Sequence, residues 1–203
     1  MSGCWNCGAP PAFTGRDTGE EAHFCAGCGS LQPPPSNYFD FFGLERKLGV
    51  DAGALDLRFY ALSRRLHPDL FFRRGERERQ YSLDSTAILN DAYRTLKDPV
   101  KRAEYLLKEN GFDVGEQKSA NVPPELLEEV FELNMALEES AKEEVAAALS
   151  KFRSMLGESD AEMARQFERY DRSFDRGVLV EIRGLLNRRK YIRNLIETAN
   201  GTR

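Results

Sequence analysis

Long hydrophobic runs, histidine and tryptophan are all scarce in this sequence of 203 residues, which has two histidines and one tryptophan. No apolar run approaches the roughly 18 residues that a membrane span requires, and the first residues match neither a signal peptide nor a transit peptide. We therefore expect a cytoplasmic protein, or one of the mitochondrial matrix if a presequence has been removed. Two histidines leave little material for a hydrolase triad, and no glycine-rich phosphate-binding loop occurs. The sequence thus argues against an enzyme.

Basic charge is also in short supply, because the net charge is −4. The one basic concentration runs from Arg58 to Arg79, with seven arginines against three acidic residues. Residues 1–35 contain one arginine and no lysine against three acidic residues. Contact with phosphates requires a basic face, so we predict neither nucleic-acid binding nor membrane binding. With 41% hydrophobic and 31% charged residues, the chain is expected to be globular.

Cysteine is confined to the first 30 residues, where two Cys-x-x-Cys pairs are separated by 17 residues. Two such pairs can present four thiolates to one tetrahedral metal ion. Gly8 and Gly29 follow the pairs, and glycine can adopt the left-handed conformation that a knuckle turn requires. We predict a metal module at residues 1–33 that holds structural zinc, although iron could occupy the same sulfurs. The predicted ligands are Cys4, Cys7, Cys25 and Cys28.

Other interpretations of the cysteines are less consistent with the rest of the chain. Two disulfides or a redox pair are possible in principle, but no secretory signal supports an oxidising compartment. His23 lies near the second pair, yet four thiolates already complete the site, so we do not expect it to be a ligand. The same closure argues against a metalloenzyme, which needs an open position for water.

Residues 36–110 have the periodicity of four helices. Ser36 or Asn37 can cap the first helix and Asp51 the second, whose apolar positions end at Leu66. Pro68 cannot continue the second helix, and it favours an extended conformation at the preceding residue. The imidazole of His67 and the carboxylate of Asp69 are therefore expected at a helix tip, before a polar loop. Taken alone, the tripeptide is also compatible with a simple capped turn.

Residues 123–203 have the pattern of an antiparallel three-helix bundle that Pro123-Pro124 opens. Its first helix has one stripe at Leu126, Val130, Leu133 and Leu137, suited to a core. A second stripe is rotated to one side, and periodicity alone favours a core position for it over an exposed partner surface. The second helix is expected to continue through Gly157. Its apolar positions are Val145, Leu149, Phe152, Leu156, Met163, Phe167, Tyr170 and Phe174.

The residues around His-Pro-Asp resemble a J-domain, the module that activates DnaK-type ATPase chaperones. Asn37-Tyr38-Phe39 and the stretches from Leu89 to Leu96 and from Asp98 to Leu107 match that family. The last two stretches are similar to HscB, the co-chaperone of iron–sulfur cluster assembly, and the cysteine pairs resemble the N-terminal zinc module of some HscB members. The resemblance implies an all-α fold: a J-domain at 36–110, preceded by the metal module and followed by the bundle.

The resemblance also implies partners and roles. The chain would stimulate the ATPase of a DnaK/HscA-type chaperone and deliver an IscU-type iron–sulfur scaffold protein to it, which promotes cluster transfer. The residues implied in chaperone binding are His67, Pro68, Asp69, Arg64 and Arg65. Those implied in scaffold binding are Leu127, Glu128, Phe131, Glu132, Met135 and Tyr191. Glu128 replaces an apolar methionine of familiar members, and Met135 replaces an acid.

Two other functions are compatible with parts of the sequence. A general J-protein would share the His-Pro-Asp segment but serve a different client. A zinc-ribbon regulatory or nucleic-acid-binding protein with a helical tail would share the cysteine pairs, although the low positive charge of residues 1–35 counts against it.

Overall fold

The computed structural model describes most of the chain, and the regular secondary structure of the described residues is almost entirely helical. Among them, strand-like pairing is limited to one isolated bridge between Phe24 and Leu31. None of the helices found there is long and apolar enough to cross a lipid bilayer. The predicted Pro123-Pro124 entry to the bundle lies outside the described residues. Those residues are 3–10, 23–113, 126–139 and 142–201.

The chain divides into two compact units, Met1–Tyr105 and Leu106–Arg203. The first two helices of the first unit begin at capping residues that the sequence predicted. The Asn37 side chain accepts hydrogen bonds from two backbone N–H groups, and Asp51 Oδ1 accepts one from Ala54 N at 3.0 Å. The fifth helix begins in this unit and ends in the next. The helices are α1 (Tyr38–Phe42), α2 (Ala52–Arg65), α3 (Pro68–Phe71), α4 (Glu76–Lys97) and α5 (Pro99–Glu109).

The single-turn helix α3 was not predicted, because the sequence indicated four helices in residues 36–110 and a kink after Leu66 that led into a polar loop. Pro68 ends α2 as expected, but it also occupies the first turn of α3. Its fixed φ is preorganised for a first helical turn, and the N–H that it lacks would have no helical partner there. His67 has the extended ψ of 130° that a residue before proline favours. The tripeptide is therefore a junction between two helices.

Apolar side chains from α1, α2 and α4 form the core of the first unit. The predicted inward positions Leu55, Leu62 and Leu66 are buried. Phe59 is half-buried and stacks on Tyr93 of α4, with ring centroids 4.1 Å apart. This packing fixes α2 against α4 and so positions the junction at its end. Other buried members are Phe39, Phe41, Phe42, Leu89, Ala92 and Leu96.

The second unit contains the three predicted bundle helices α6 (Leu127–Glu138), α7 (Lys142–Ser173) and α8 (Arg176–Gly201). Helix α7 is continuous over 32 residues and passes through Gly157, as predicted. The prediction was wrong for Phe174, which lies beyond the end of α7 and is exposed. Because Phe174 forms the turn into α8, with φ at 51°, it leaves the helical phase of the stripe.

Candidate metal site and partner-binding surfaces

The four cysteine sulfurs converge on one point. All lie within 4.8 Å of one another, and two pairs that cross between the motifs are closer. Cys4 Sγ lies 3.7 Å from Cys28 Sγ, and Cys7 Sγ lies 3.6 Å from Cys25 Sγ. Four sulfurs at the usual zinc–sulfur distance around one tetrahedral ion would be about 3.8 Å apart. The donor set and its spacing therefore fit a metal ion of this kind.

The two halves of the cluster have the same backbone geometry. Gly8 N donates to Cys4 O at 2.9 Å, and Gly29 N donates to Cys25 O at 2.8 Å. Both glycines have positive φ, at 74° and 70°. A side chain at these positions would strain the turn, which is the physical reason for glycine after each pair. The predicted pair of knuckles is thus present.

Hydrogen bonds lower the pKa of Cys4 and of Cys28, and a lowered pKa favours the thiolate, the form in which cysteine binds metal. The neighbouring cysteines have the opposite effect on Cys7 and raise its pKa to about 12. Asn6 N and Gln32 Nε2 each lie 3.4 Å from Cys4 Sγ. The Ser30 hydroxyl, 3.4 Å from Cys28 Sγ, and the Ser30 backbone together lower the pKa of Cys28 to about 6. Gln32 and Ser30 were not predicted from the sequence, because a residue that forms a hydrogen bond with a metal-binding sulfur has no fixed spacing from that cysteine.

His23 lies outside the cluster, as expected. Its ring is buried against Phe41, and Nε2 forms a 3.0 Å hydrogen bond with Phe41 O. Burial lowers the pKa of His23 to about 4, so the imidazole is neutral near pH 7 and Nε2–H donates to the carbonyl. His23 therefore contributes to packing between the cysteine segment and α1.

The His-Pro-Asp junction presents its two polar side chains to solvent. His67 and Asp69 are 55% and 89% exposed, and His67 Nδ1 lies 3.5 Å from Asp69 Oδ2. His67 Nδ1 also accepts the Asp69 N–H at 3.3 Å, so a neutral ring carries its proton on Nε2. Below them, Ser82 Oγ donates to Leu66 O at 2.6 Å and ties the end of α2 to α4. The exposed imidazole of His67 and carboxylate of Asp69 thus follow a helix end that is held against α4.

The arginines near this junction do not all face solvent. Arg64 is exposed, as a partner-binding residue would be. Arg65 instead lies over the Phe24 ring, with Cζ 4.7 Å from its centroid. Arg58 donates to Phe42 O at 2.7 Å and to Gly43 O at 2.9 Å. The basic concentration seen in the sequence is therefore partly used inside the first unit.

The second stripe of α6 is exposed, so the core position that periodicity favours for it is wrong. Leu127, Phe131 and Met135 are 54%, 63% and 43% exposed. The first stripe is buried at Val130 and Leu133 in the bundle core. Since α7 and α8 already cover one face of α6, the rotated stripe has no helix left to pack against among the described residues. Glu128 and Glu132 are exposed on the same helix.

A groove of about 440 Å³ lies between α6 and α7 beside this stripe. Lys151 of α7 stands at its edge, 3.6 Å from both Glu129 Oε1 and Glu132 Oε2. The α7 side was missed in the sequence, where Ala147 and Ala148 look like ordinary helix residues. The lining residues are Phe131, Glu132, Met135, Ala136, Glu139, Glu144, Ala147, Ala148 and Lys151.

Tyr191 differs from the other residues implied in scaffold binding. It is half-buried on α8 and packs against the bundle core, and this burial raises its pKa. The five α6 positions thus share one helix, whereas Tyr191 contributes mainly to the core.

These features define a class of protein: a J-domain co-chaperone with a cysteine metal module and a helical bundle. The family model described as the HSCB C-terminal oligomerisation domain matches residues 122–200. The human "Iron-sulfur cluster co-chaperone protein HscB" is 32% identical over 96% of this chain and 79% of its own length. An Arabidopsis thaliana homologue is 36% identical over 77% of this chain, which spans 58% of that relative's length.

Solved structures agree with the sequence comparison. The crystal structure of human HscB matches with a TM-score of 0.70 and 30% identity, covering 98% of this chain and 96% of that chain. HscB from Vibrio cholerae matches with a TM-score of 0.58 and 31% identity, covering 81% and 95%. The chain belongs to the HscB family of iron–sulfur cluster co-chaperones, and its fold is the all-α fold that the sequence predicted.

Proposed function

We propose that this chain stimulates the ATPase of a DnaK/HscA-type chaperone and delivers an IscU-type iron–sulfur scaffold protein to it, promoting cluster transfer. One observation carries the proposal. The chain has two exposed surfaces of different chemistry in different units: the polar His67-Pro68-Asp69 junction and the apolar stripe of Leu127, Phe131 and Met135. A co-chaperone of this kind must hold an ATPase and a client at once.

The chaperone is the proposed partner of the His-Pro-Asp junction. The Asp69 carboxylate can pair with an arginine of the chaperone, and a pair of this kind is strong when the interface excludes water. His67 offers its Nε2–H as a second contact, since Nδ1 is occupied by the Asp69 N–H. Exposed Arg64 would accelerate the encounter with an acidic surface. Binding would then favour the hydrolysis-competent state of the chaperone.

The scaffold is the proposed partner of the α6 stripe and its groove. Phe131 can act as an aromatic anchor, because large side chains at the centre of an interface contribute most of the binding energy. Glu132, Glu139 and Glu144 give the groove an acidic edge, so a scaffold surface with apolar and basic residues would complement it. Glu128 adds to the same charge on α6, and Tyr191 would act indirectly by supporting the core.

Zinc is the proposed occupant of the cysteine cluster, with iron as the alternative. Four thiolates would complete the coordination of either ion, so the site would be structural. Metal analysis of the purified chain is expected to give one zinc per chain. An iron–sulfur absorption spectrum in place of zinc would contradict this assignment.

Chaperone ATPase turnover, measured with and without the scaffold, tests the proposed function. We expect the chain to stimulate turnover alone, and the chain and scaffold together to stimulate more than the sum of their separate effects. Stimulation without synergy, combined with failure to capture the scaffold in a pulldown, would favour a general J-protein with a different client. Absence of stimulation under all conditions would refute the co-chaperone mechanism.

A further inference from the structure

The cysteine segment contacts the two helices that flank the His-Pro-Asp junction, α2 before it and α4 after it. Before the junction, Arg65 of α2 lies over Phe24, the residue that precedes Cys25. After the junction, Glu78 of α4 accepts the Leu31 N–H at 3.1 Å. The same segment therefore contacts the last turn of α2 and the first turn of α4.

The contact between Glu78 and Leu31 is buried, so its loss would affect stability. Glu78 is only 7% exposed, and Leu31 is fully buried. A carboxylate taken out of water is costly unless a donor satisfies it, so removing the Leu31 N–H would destabilise the start of α4. If the segment moved away, water would satisfy the carboxylate, and α4 would lose its contact with Leu31.

Trp5 adds a second contact on α4. Its Nε1 donates to Leu31 O at 2.8 Å, which joins the first cysteine pair to the segment after the second pair. The Trp5 ring meets Tyr81 edge to face at 6.2 Å, and Arg77 lies over it at 5.6 Å. Both halves of the metal module therefore contribute to the surface that meets α4.

The residues of the module that the structure describes have little packing of their own to maintain this surface. Among its described residues, the buried side chains besides Cys4 and Cys25 are His23, Ser30 and Leu31. So few buried groups cannot offset the loss of conformational entropy, and a bound metal supplies the missing folding energy in modules of this size. Trp5, Phe24 and Leu31 should thus stay in place only while the four thiolates hold a metal.

We propose that the metal module is a positioning element for the His67-Pro68-Asp69 junction, and that metal occupancy sets how rigidly α2 and α4 hold it. With metal bound, Phe24 and Leu31 fix the two helix ends. Without metal, Arg65 and Glu78 lose these partners and the junction becomes mobile. The consequence for ATPase stimulation rests on the proposed function, whereas the mechanical coupling is a property of this chain alone.

Amide hydrogen exchange of the full chain tests the coupling directly. The chain is compared after loading with Zn²⁺ and after removal of metal with a chelator. We expect the amides of residues 62–66 and 77–82 to exchange at least tenfold faster without metal, and those of α6, α7 and α8 to change less than twofold. Equal exchange at residues 62–66 and 77–82 in both states would overturn the proposal.

Two variants separate the contact from the metal. Phe24→Ala and Glu78→Ala leave all four thiolates in place, so both should retain one zinc while exchange near the junction rises at least threefold. Asp91→Ala is the matched control, because it removes an exposed carboxylate from the same helix α4. Acceleration by Asp91→Ala equal to that by Glu78→Ala would contradict a specific role of the contact.

Chaperone ATPase turnover distinguishes failure of this inference from failure of the proposed function. If the zinc-loaded chain does not stimulate turnover, the proposed function fails, and the exchange data still decide the coupling. If the zinc-loaded chain stimulates, we expect at least a fivefold loss on metal removal. Full stimulation by the metal-free chain, with unchanged exchange, would refute the positioning role while the co-chaperone mechanism stands.

Discussion

The His-Pro-Asp junction and the exposed stripe of α6 are both candidate binding surfaces, but they are built in opposite ways. The junction is short and polar, and covalent constraints at Pro68 fix its geometry between α2 and α3. The stripe is apolar and is spread over three turns of one helix, at Leu127, Phe131 and Met135. The backbone at Pro68 fixes the shape of the junction. The packing of the bundle helices determines which side chains of α6 remain exposed.

This difference decides what each surface can tolerate. At the junction, the Asp69 carboxylate alone would make the proposed charge pair with the chaperone. A substitution that preserves its shape but removes its charge can therefore still remove ATPase stimulation. On the stripe, binding energy is shared among several apolar side chains, and single truncations are expected to have graded effects. Substitutions in this stripe should change the free energy of unfolding little, because its side chains already face water.

The largest effect is expected from Asp69→Asn. The change keeps the side-chain shape but removes the charge that the proposed chaperone contact requires, so ATPase stimulation should fall to the unstimulated level. Because Asp69 is 89% exposed, the free energy of unfolding should change by no more than about 0.5 kcal/mol. Steady-state turnover of the chaperone and urea denaturation of the variant measure the two quantities.

The control for that experiment is Asp91→Asn, an exposed aspartate of α4 remote from the junction in sequence. It should stimulate as the parent chain does. His67→Gln should behave like Asp69→Asn, since it removes the imidazole Nε2–H. Parent-like stimulation by either junction variant would contradict the role assigned to the tripeptide.

The contrast also explains which features could be predicted from the sequence. The knuckles follow from Cys-x-x-Cys-Gly, and the junction follows from what Pro68 forbids, because local covalent geometry imposes both. The second stripe of α6 was assigned wrongly from periodicity, since a rotated apolar stripe looks the same whether or not another helix covers it. The prediction for Phe174 was wrong for a related reason: the apolar spacing continues in the sequence after α7 has ended.

Contacts between segments that are distant in the sequence could not be predicted, for a different reason. Arg65 was named only as a residue implied in chaperone binding, but it lies over Phe24. Glu78 was only counted among the acidic residues between Arg58 and Arg79, but it is buried and accepts the Leu31 N–H. Neither contact has a fixed sequence spacing, so neither follows from local rules.

An intermediate effect is expected on α6, where one single and one double variant separate the core stripe from the exposed stripe. Leu133→Ala removes a fully buried side chain and should destabilise the bundle by about 2–5 kcal/mol. Leu127→Ala combined with Phe131→Ala should cost less than about 1 kcal/mol in stability but weaken scaffold binding at least tenfold, about 1.4 kcal/mol. Urea denaturation and titration calorimetry provide the two measurements.

Leu83→Ala is the matched control for the α6 surface, since Leu83 is a leucine of α4 that is as exposed as Leu127. It should leave scaffold affinity unchanged. An unchanged affinity in the double variant would remove the stripe from the scaffold interface, and the contrast between the two surfaces would then lose its functional meaning.

The smallest effect is expected from Glu132→Gln at the edge of the groove. Glu132 is exposed and shares Lys151 with Glu129, so its charge is partly compensated already. Charges at the rim of an interface mainly change the association rate, and salt screens them. We expect the association rate with the scaffold to fall about two- to threefold at low salt and to match the parent at high salt. Glu138→Gln changes the net charge equally from an α6 position outside the groove, so an equal loss from both variants would show that total charge, rather than the groove edge, attracts the scaffold.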